Sequence, residues 1–205
     1  GPASLALDIV DYPGEWLLDL PLLAKDYTQW SRETIDASTS ATRAHLASDW
    51  RGFLATLDPS GPASEEQARR AAELFTAYLR ACRDDALALS TLPPGRFLLP
   101  GEMEGSPALT FAPLPLSEGA GIVSGSLAAM MERRYEAYKS HVIRPFFRDH
   151  FARLDRQIVL VDTLSALNSG PSAVRDLETA MTDVMTAFRT GRSSLISTIF
   201  RPRID

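Results

Sequence analysis

Residues 5–16 read Leu-Ala-Leu-Asp-Ile-Val-Asp-Tyr-Pro-Gly-Glu-Trp, an apolar, β-branched run stopped by Asp11 and followed three positions later by Gly14. A run of this length reads as a strand buried on both faces, and such strands belong to sheets covered by helices on either side. The acidic stop then lies at the carboxyl edge of the sheet, where open α/β folds collect ligands. A glycine just beyond it lets a backbone N–H approach a terminal phosphate with no Cβ in the way. Ile158-Val-Leu-Val-Asp162 repeats the pattern of an apolar run ending in Asp. The expectation is an α/β fold, a parallel sheet of P-loop type that is incomplete in this chain and is interrupted by a large, mostly helical insertion.

Between the two runs the signals are helical. Tyr27, Trp30, Ile35, Leu46, Trp50, Phe53 and Leu54 are spaced for helices with a break near Ser38-Thr-Ser. Asp58-Pro-Ser-Gly-Pro stops them, because proline cannot continue a helix and glycine accepts unusual dihedrals. Ser64-Glu-Glu-Gln is a capping box. It opens a helix with Ala68, Ala71, Leu74, Phe75, Tyr78, Leu79 and Cys82 on one face, expected to end near Ser90. From Leu92 to Gly125 recurrent Pro and Gly exclude long regular elements. Phe97, Leu98, Leu99, Phe111 and Leu114 make this stretch too apolar for a disordered linker, so an ordered loop is expected, with Gly101-Glu-Met-Glu-Gly as a candidate functional tip. Residues 126–156 read as a long helix kinked near Arg144 by Pro145. Residues 163–170 read as a strand-to-helix connection, and Pro171 opens a last helix that ends near Gly191.

Composition bounds the partners. The 205 residues carry a net charge of −5, which offers no bulk attraction for nucleic acid. Cys82 is a lone cysteine, so no disulfide forms within the chain, and its place on an apolar helical face reads as core packing. No stretch approaches the roughly 20 apolar residues of a membrane span, and the expected compartment is the cytoplasm. His141 and His150 are nine residues apart, outside the spacing of a helical metal pair. Arg144 and Arg148 are candidates for a nucleotide contact, against the plainer reading of a solvated face pairing locally with Asp149 and Asp155.

Three blocks carry a resemblance: Asp8-Ile-Val-Asp-Tyr-Pro-Gly-Glu-Trp-Leu-Leu-Asp-Leu-Pro-Leu-Leu23, Gly95 through Pro115, and Tyr138 through Gly170 with its Arg144-Pro-Phe-Phe-Arg-Asp-His-Phe and Ala166-Leu-Asn-Ser-Gly. Together they resemble the YcjX-like family of bacterial P-loop nucleoside triphosphatases. The resemblance implies stress-linked, Mg²⁺-dependent hydrolysis of GTP or ATP. It places the strand and a D-x-P-G switch loop in residues 1–20, the helical insertion in 21–155, and the return to the nucleotide-binding domain in 156–205. Asp11 is then the Mg²⁺ residue and Gly14 the γ-phosphate contact. Glu15 stands where related GTPases often keep a water-orienting Gln, and is the candidate catalytic residue. No G-x-x-x-x-G-K-[ST] phosphate cradle occurs among these residues, so the expectation is an internal portion of a longer enzyme, inactive alone.

Two other readings stay open. One is a non-catalytic module whose helices, or whose 92–125 loop, bind a partner protein or a membrane surface. The other is a plain helical domain in which Asp-Tyr-Pro-Gly is only a turn.

Overall fold

The computed structural model describes residues 9, 11–85, 91–116, 119, 121–151 and 158–199, with the side chains of residues 150, 151 and 189–199 left aside. The expected strand at 5–10 lies outside the described residues except for Ile9, which is exposed.

The described chain is helical. A 3₁₀ segment, Gly14–Ala24, leads to α1 (Tyr27–Ala37), α2 (Ser48–Leu54), α3 (Glu65–Asp84) and α4 (Leu127–Tyr138). A π-helical turn, α5 (Arg144–Phe146) and a second π-helical turn continue α4 to Phe151. Then come α6 (Thr163–Ser169) and α7 (Pro171–Ile199). β-type pairing among the described residues is limited to an isolated antiparallel bridge between Pro62 and Ser126.

The expected parallel sheet of an α/β P-loop fold is therefore corrected: the described residues fold as a helical body without a strand. Residues 158–162 run without helix or ladder, and Ile158 and Leu160 are 85% and 91% exposed. An apolar run becomes a strand only when a neighbour takes its backbone hydrogen bonds, and no described segment does so here. Asp162 instead caps α6 by accepting a hydrogen bond from Ser165 N at 2.9 Å.

Local chemistry accounts for the helices. Ser64 caps α3 and accepts from the Gln67 N–H, as its capping box requires. Asp26 and Ser126 cap α1 and α4 in the same way. The break after α1 falls at Ser38–Ser40, where serine and threonine hydroxyls bond back to helix carbonyls. Pro145 has no N–H to give its preceding turn, and the helix widens into π turns on both sides of it. α3 ends at Asp84, before the expected end near Ser90, because Asp85 turns to an extended conformation. α7 begins at Pro171 as expected but runs through Gly191 to Ile199, since one interior glycine costs a helix only about 1 kcal/mol.

Aromatic rings fill the core. Trp30 stacks on Tyr135 at 4.9 Å and Trp50 on Tyr78 at 5.1 Å. Phe111 lies between Phe97 and Tyr138, at 5.0 and 5.3 Å. The Pro/Gly-rich stretch is ordered as expected, turning Phe97, Leu98, Phe111 and Leu114 inward while Leu99 stays 37% exposed. Tyr27 ties it to α1 by donating to the Ala112 carbonyl at 2.8 Å. α7 closes over the 3₁₀ segment with Ala173, Ala180 and Val184 buried. Two ion pairs latch it, Lys25 with Asp183 at 3.1 Å and Arg43 with Asp176 at 2.8 Å.

Asp19 is the one carboxylate buried inside this core among the described residues, at 3% exposure. It accepts from Gly95 N at 2.7 Å and from the Tyr138 hydroxyl at 2.6 Å, and the Arg96 N–H also faces it. Burial outweighs these donors and pushes the Asp19 carboxyl from 3.8 up to about 6.

Two outcomes follow from this packing. Trp30→Ala removes the ring at the centre of the cluster and lowers unfolding free energy by roughly 3–5 kcal/mol, read from the denaturant midpoint. For Asp19 the folded carboxyl holds its proton more tightly than the unfolded one, so its share of stability is complete below about pH 4. That share, about 3 kcal/mol, is lost as pH rises through about 6. Asp19→Asn keeps a Gly95 acceptor and should flatten stability against pH between 4 and 7; an unchanged profile refutes the assignment.

Candidate functional site

Asp11, Gly14 and Glu15 fall on one short turn where extended chain enters the 3₁₀ segment. Pro13 starts that segment, and its carbonyl accepts from Trp16 N at 3.1 Å. Asp11 and Gly14 are exposed, whereas Glu15 and Trp16 are half-buried. A Cβ built on Gly14 meets no atom within 4 Å, so packing inside this chain does not account for a glycine there. The turn thus presents the Asp11 carboxylate and an exposed Gly14 backbone to solvent, just before the buried core that begins at Leu17.

These residues suit a metal-bound phosphate in part. An exposed carboxylate is a hard oxygen donor of the kind Mg²⁺ takes through one or two side chains while keeping waters. No group of three or more His, Cys, Asp or Glu among the described residues is placed to hold a metal ion by itself. Asp11 and Glu15 are the only carboxylates on the turn, so it supplies at most two side-chain carboxylate donors of its own.

The turn is held by Trp16, an aromatic whose place beside the loop already suggests an anchor, and by Arg96 and Gly95, to which no sequence pattern assigns this part. Arg96 lays its guanidinium 3.5 Å from the Trp16 ring centroid and 5.1 Å from that of Phe146. Trp16 meets Phe146 edge to face at 5.2 Å and donates from Nε1 to the Leu99 carbonyl at 3.1 Å. Tyr12 also packs edge-on against Phe146 at 6.0 Å. Gly95 passes so close to the turn that an added Cβ would lie 1.8 Å from the Glu15 carbonyl oxygen. The sequence signals for these contacts are a charged Asp19 inside Leu-Leu-Asp-Leu-Pro-Leu-Leu and a glycine directly before an arginine in a Pro-rich stretch.

The other candidates disperse. Arg148 is exposed and bonds its neighbour Asp149 at 2.7 Å, the local pairing weighed from sequence. Arg144 is exposed. His141 bonds Ser140 through Nδ1 at 3.0 Å. Burial raises the Cys82 thiol above its usual range, which suits packing and opposes thiolate chemistry. The 101–105 tip does approach the site, since a Cβ on Gly101 would lie 4.0 Å from the Trp16 ring. A groove of about 440 Å³ opens between α3 and this tip, lined by Arg69, Thr76, Arg80, Phe97, Pro100 and Leu109 among others. Asp11, Gly14 and Glu15 do not line it.

Among the described residues no helix is long and apolar enough to cross a membrane.

Comparison with known proteins agrees with the motif blocks. The family described as "YcjX-like family, DUF463" matches residues 1–205. A protein named "Ras-like GTPase YcjX" from Escherichia coli K12 is 43% identical over 209 residues, covering 99% of this chain and 44% of that protein. Its namesake from Shewanella oneidensis is 38% identical over 212 residues, covering 99% of this chain and 43% of that protein. The chain spans less than half the length of these curated relatives. With the match running from its first residue to its last, the chain belongs to the YcjX-like family.

Proposed function

We propose that the Asp11–Glu15 turn is the metal- and γ-phosphate-facing element of a Mg²⁺-dependent nucleoside triphosphatase, with GTP preferred to ATP. The observation that carries this reading is the exposed Gly14 with free space around its Cβ direction, beside the exposed carboxylate of Asp11. The names of the relatives, both GTPases, support the nucleotide, and the family resemblance supports a link to stress responses.

Phosphoryl transfer asks a protein to position groups and neutralise charge more than to form bonds. Mg²⁺, when bound, offsets charge on the β- and γ-phosphates. Asp11 holds the ion's hydration shell by accepting hydrogen bonds from its waters. Gly14 donates its N–H to a γ-phosphate oxygen, a contact that a neighbouring side chain would crowd. Glu15 accepts a hydrogen bond from the attacking water; unlike glutamine it cannot donate one to the phosphate, so it orients water through acceptance alone. Residues 1–20 and 156–205 serve the nucleotide-binding part in this reading, and 21–155 the helical insertion.

A second reading has an observation of its own. Ile158, Leu160, Leu164 and Leu167 are 85%, 91%, 71% and 63% exposed, an apolar strip suited to contact with a partner protein. The 92–125 loop is a weaker candidate for that role, because Phe97, Leu98, Phe111 and Leu114 turn into the core.

Hydrolysis by the intact protein separates these readings. Asp11→Ala should lower GTP turnover roughly 10²-fold. Gly14→Ala should leave the melting temperature unchanged, since its Cβ meets nothing, while impairing turnover in the same range. Parent-level turnover in both variants would exclude the turn from the reaction.

A further inference from the structure

We infer that Arg96 is a positioning residue for the hydrolytic turn: stacked on Trp16 and set against Phe146, it holds residues 11–16 against the helical body and passes nucleotide occupancy to the 95–101 loop. This rests on the reading of Asp11 and Gly14 as the phosphate-facing turn.

The backbone of the loop is fixed before its side chain acts. Gly95 N donates to the buried Asp19, and the chain at Gly95 runs against the Glu15 carbonyl so closely that no other residue fits there without displacing it. Arg96 therefore leaves the loop directly beside the turn. Its contacts are ring faces, Trp16 at 3.5 Å and Phe146 at 5.1 Å from the guanidinium carbon. The two rings stand 83° apart, so the planar guanidinium stacks on one of them, Trp16, and meets Phe146 at the longer distance; a lysine ammonium has no plane to stack.

Trp16 is the shared part. Its ring carries Arg96, its edge meets Phe146, and its indole N–H bonds Leu99. Trp30 and Trp50 are each 1% exposed inside the core, whereas Trp16 is half-buried and one residue from Glu15. Any shift of the turn toward a phosphate must carry Trp16 relative to Arg96. The clamp joins the turn to two separate parts of the helical body, the 95–101 loop and α5. A partner that moves either part changes how Glu15 is held.

The test uses the intact protein with GTP and Mg²⁺. Arg96→Ala is expected to keep the GTP dissociation constant within about twofold while lowering kcat about tenfold, the pattern of misplaced rather than missing groups. Arg96→Lys should show the same loss, because charge without stacking does not rebuild the clamp. Tryptophan emission should change on GTP addition in the parent protein, and that change should vanish in Trp16→Phe and in Arg96→Ala. Phe146→Leu, which keeps an apolar side chain but removes one face of the clamp, should give an intermediate kcat and covers the case in which Arg96→Ala folds poorly. Parent-level kcat in Arg96→Ala, or full rescue by Arg96→Lys, overturns the inference. Asp11→Ala run alongside distinguishes the failures: if it hydrolyses normally the underlying reading falls, and if it is impaired while Arg96→Ala is normal the clamp alone falls.

Discussion

Asp19 holds the molecule at the point where its distant segments meet. A carboxylate taken out of water loses several kcal/mol of hydration, and it remains only where donors replace that shell. Here the donors come from both sides: the Gly95 and Arg96 N–H groups from the Pro-rich loop, and the Tyr138 hydroxyl from the end of α4. Hydrogen bonds to a charged group contribute about 1.5–3 kcal/mol each, so three of them offset much of the burial cost without cancelling it. The residual imbalance appears as the raised proton affinity of Asp19. Without this acceptor the turn at Gly95 has nothing to cap it, and Gly95 has no reason to press on Glu15. The three sequence blocks that carry the family resemblance are the same three that converge here, through Trp16 and Asp19, Gly95 and Arg96, and Tyr138 and Phe146.

Around that point the core is built from rings rather than from a sheet. Leu17, Leu18, Leu20 and Leu22 lie buried on all sides of the 3₁₀ segment because α7, the Pro-rich loop and the α4 continuation surround it. An element enclosed on every face needs no amphipathic stripe. That is why Leu-Leu-Asp-Leu-Pro-Leu-Leu carries no periodic signal. Tyr27, Tyr135 and Tyr138 send their hydroxyls to backbone carbonyls and to Asp19, so the rings pin loop backbone as well as filling volume.

How far the sequence could be read depended on the range of the interaction. Ser64 with Gln67, the break at Ser38–Ser40, the helix start at Pro171 and the distortion at Pro145 are settled within a few residues, and each was legible. Asp11, Gly14 and Glu15 share a turn at the start of the 3₁₀ segment, the first two exposed and Glu15 half-buried, rather than the rim of a sheet. The apolar run 158–162 misled, because a strand and an uncovered apolar stretch differ only in whether another segment pairs with them. The roles of Asp19 and Arg96 depend on partners 76 and 119 residues from Asp19 along the chain, which no local pattern reveals.

The size of the contact at Trp16 decides what it can do. A cation stacked on an aromatic ring contributes about 0.5–2 kcal/mol, and an edge-to-face ring pair about 0.5–1.5 kcal/mol more. Coupling between sites in regulated proteins is typically about 1–3 kcal/mol. The clamp thus lies on the scale of a switch. A contact of that size would bias the turn by about one or two orders of magnitude, and ligand contacts of a few kcal/mol would reverse it. The Asp19 node lies beneath that contact, buried and bonded by Gly95 N and the Tyr138 hydroxyl from two distant segments. A bonded core node beneath a contact of this size would let the turn move without loosening the core that carries it.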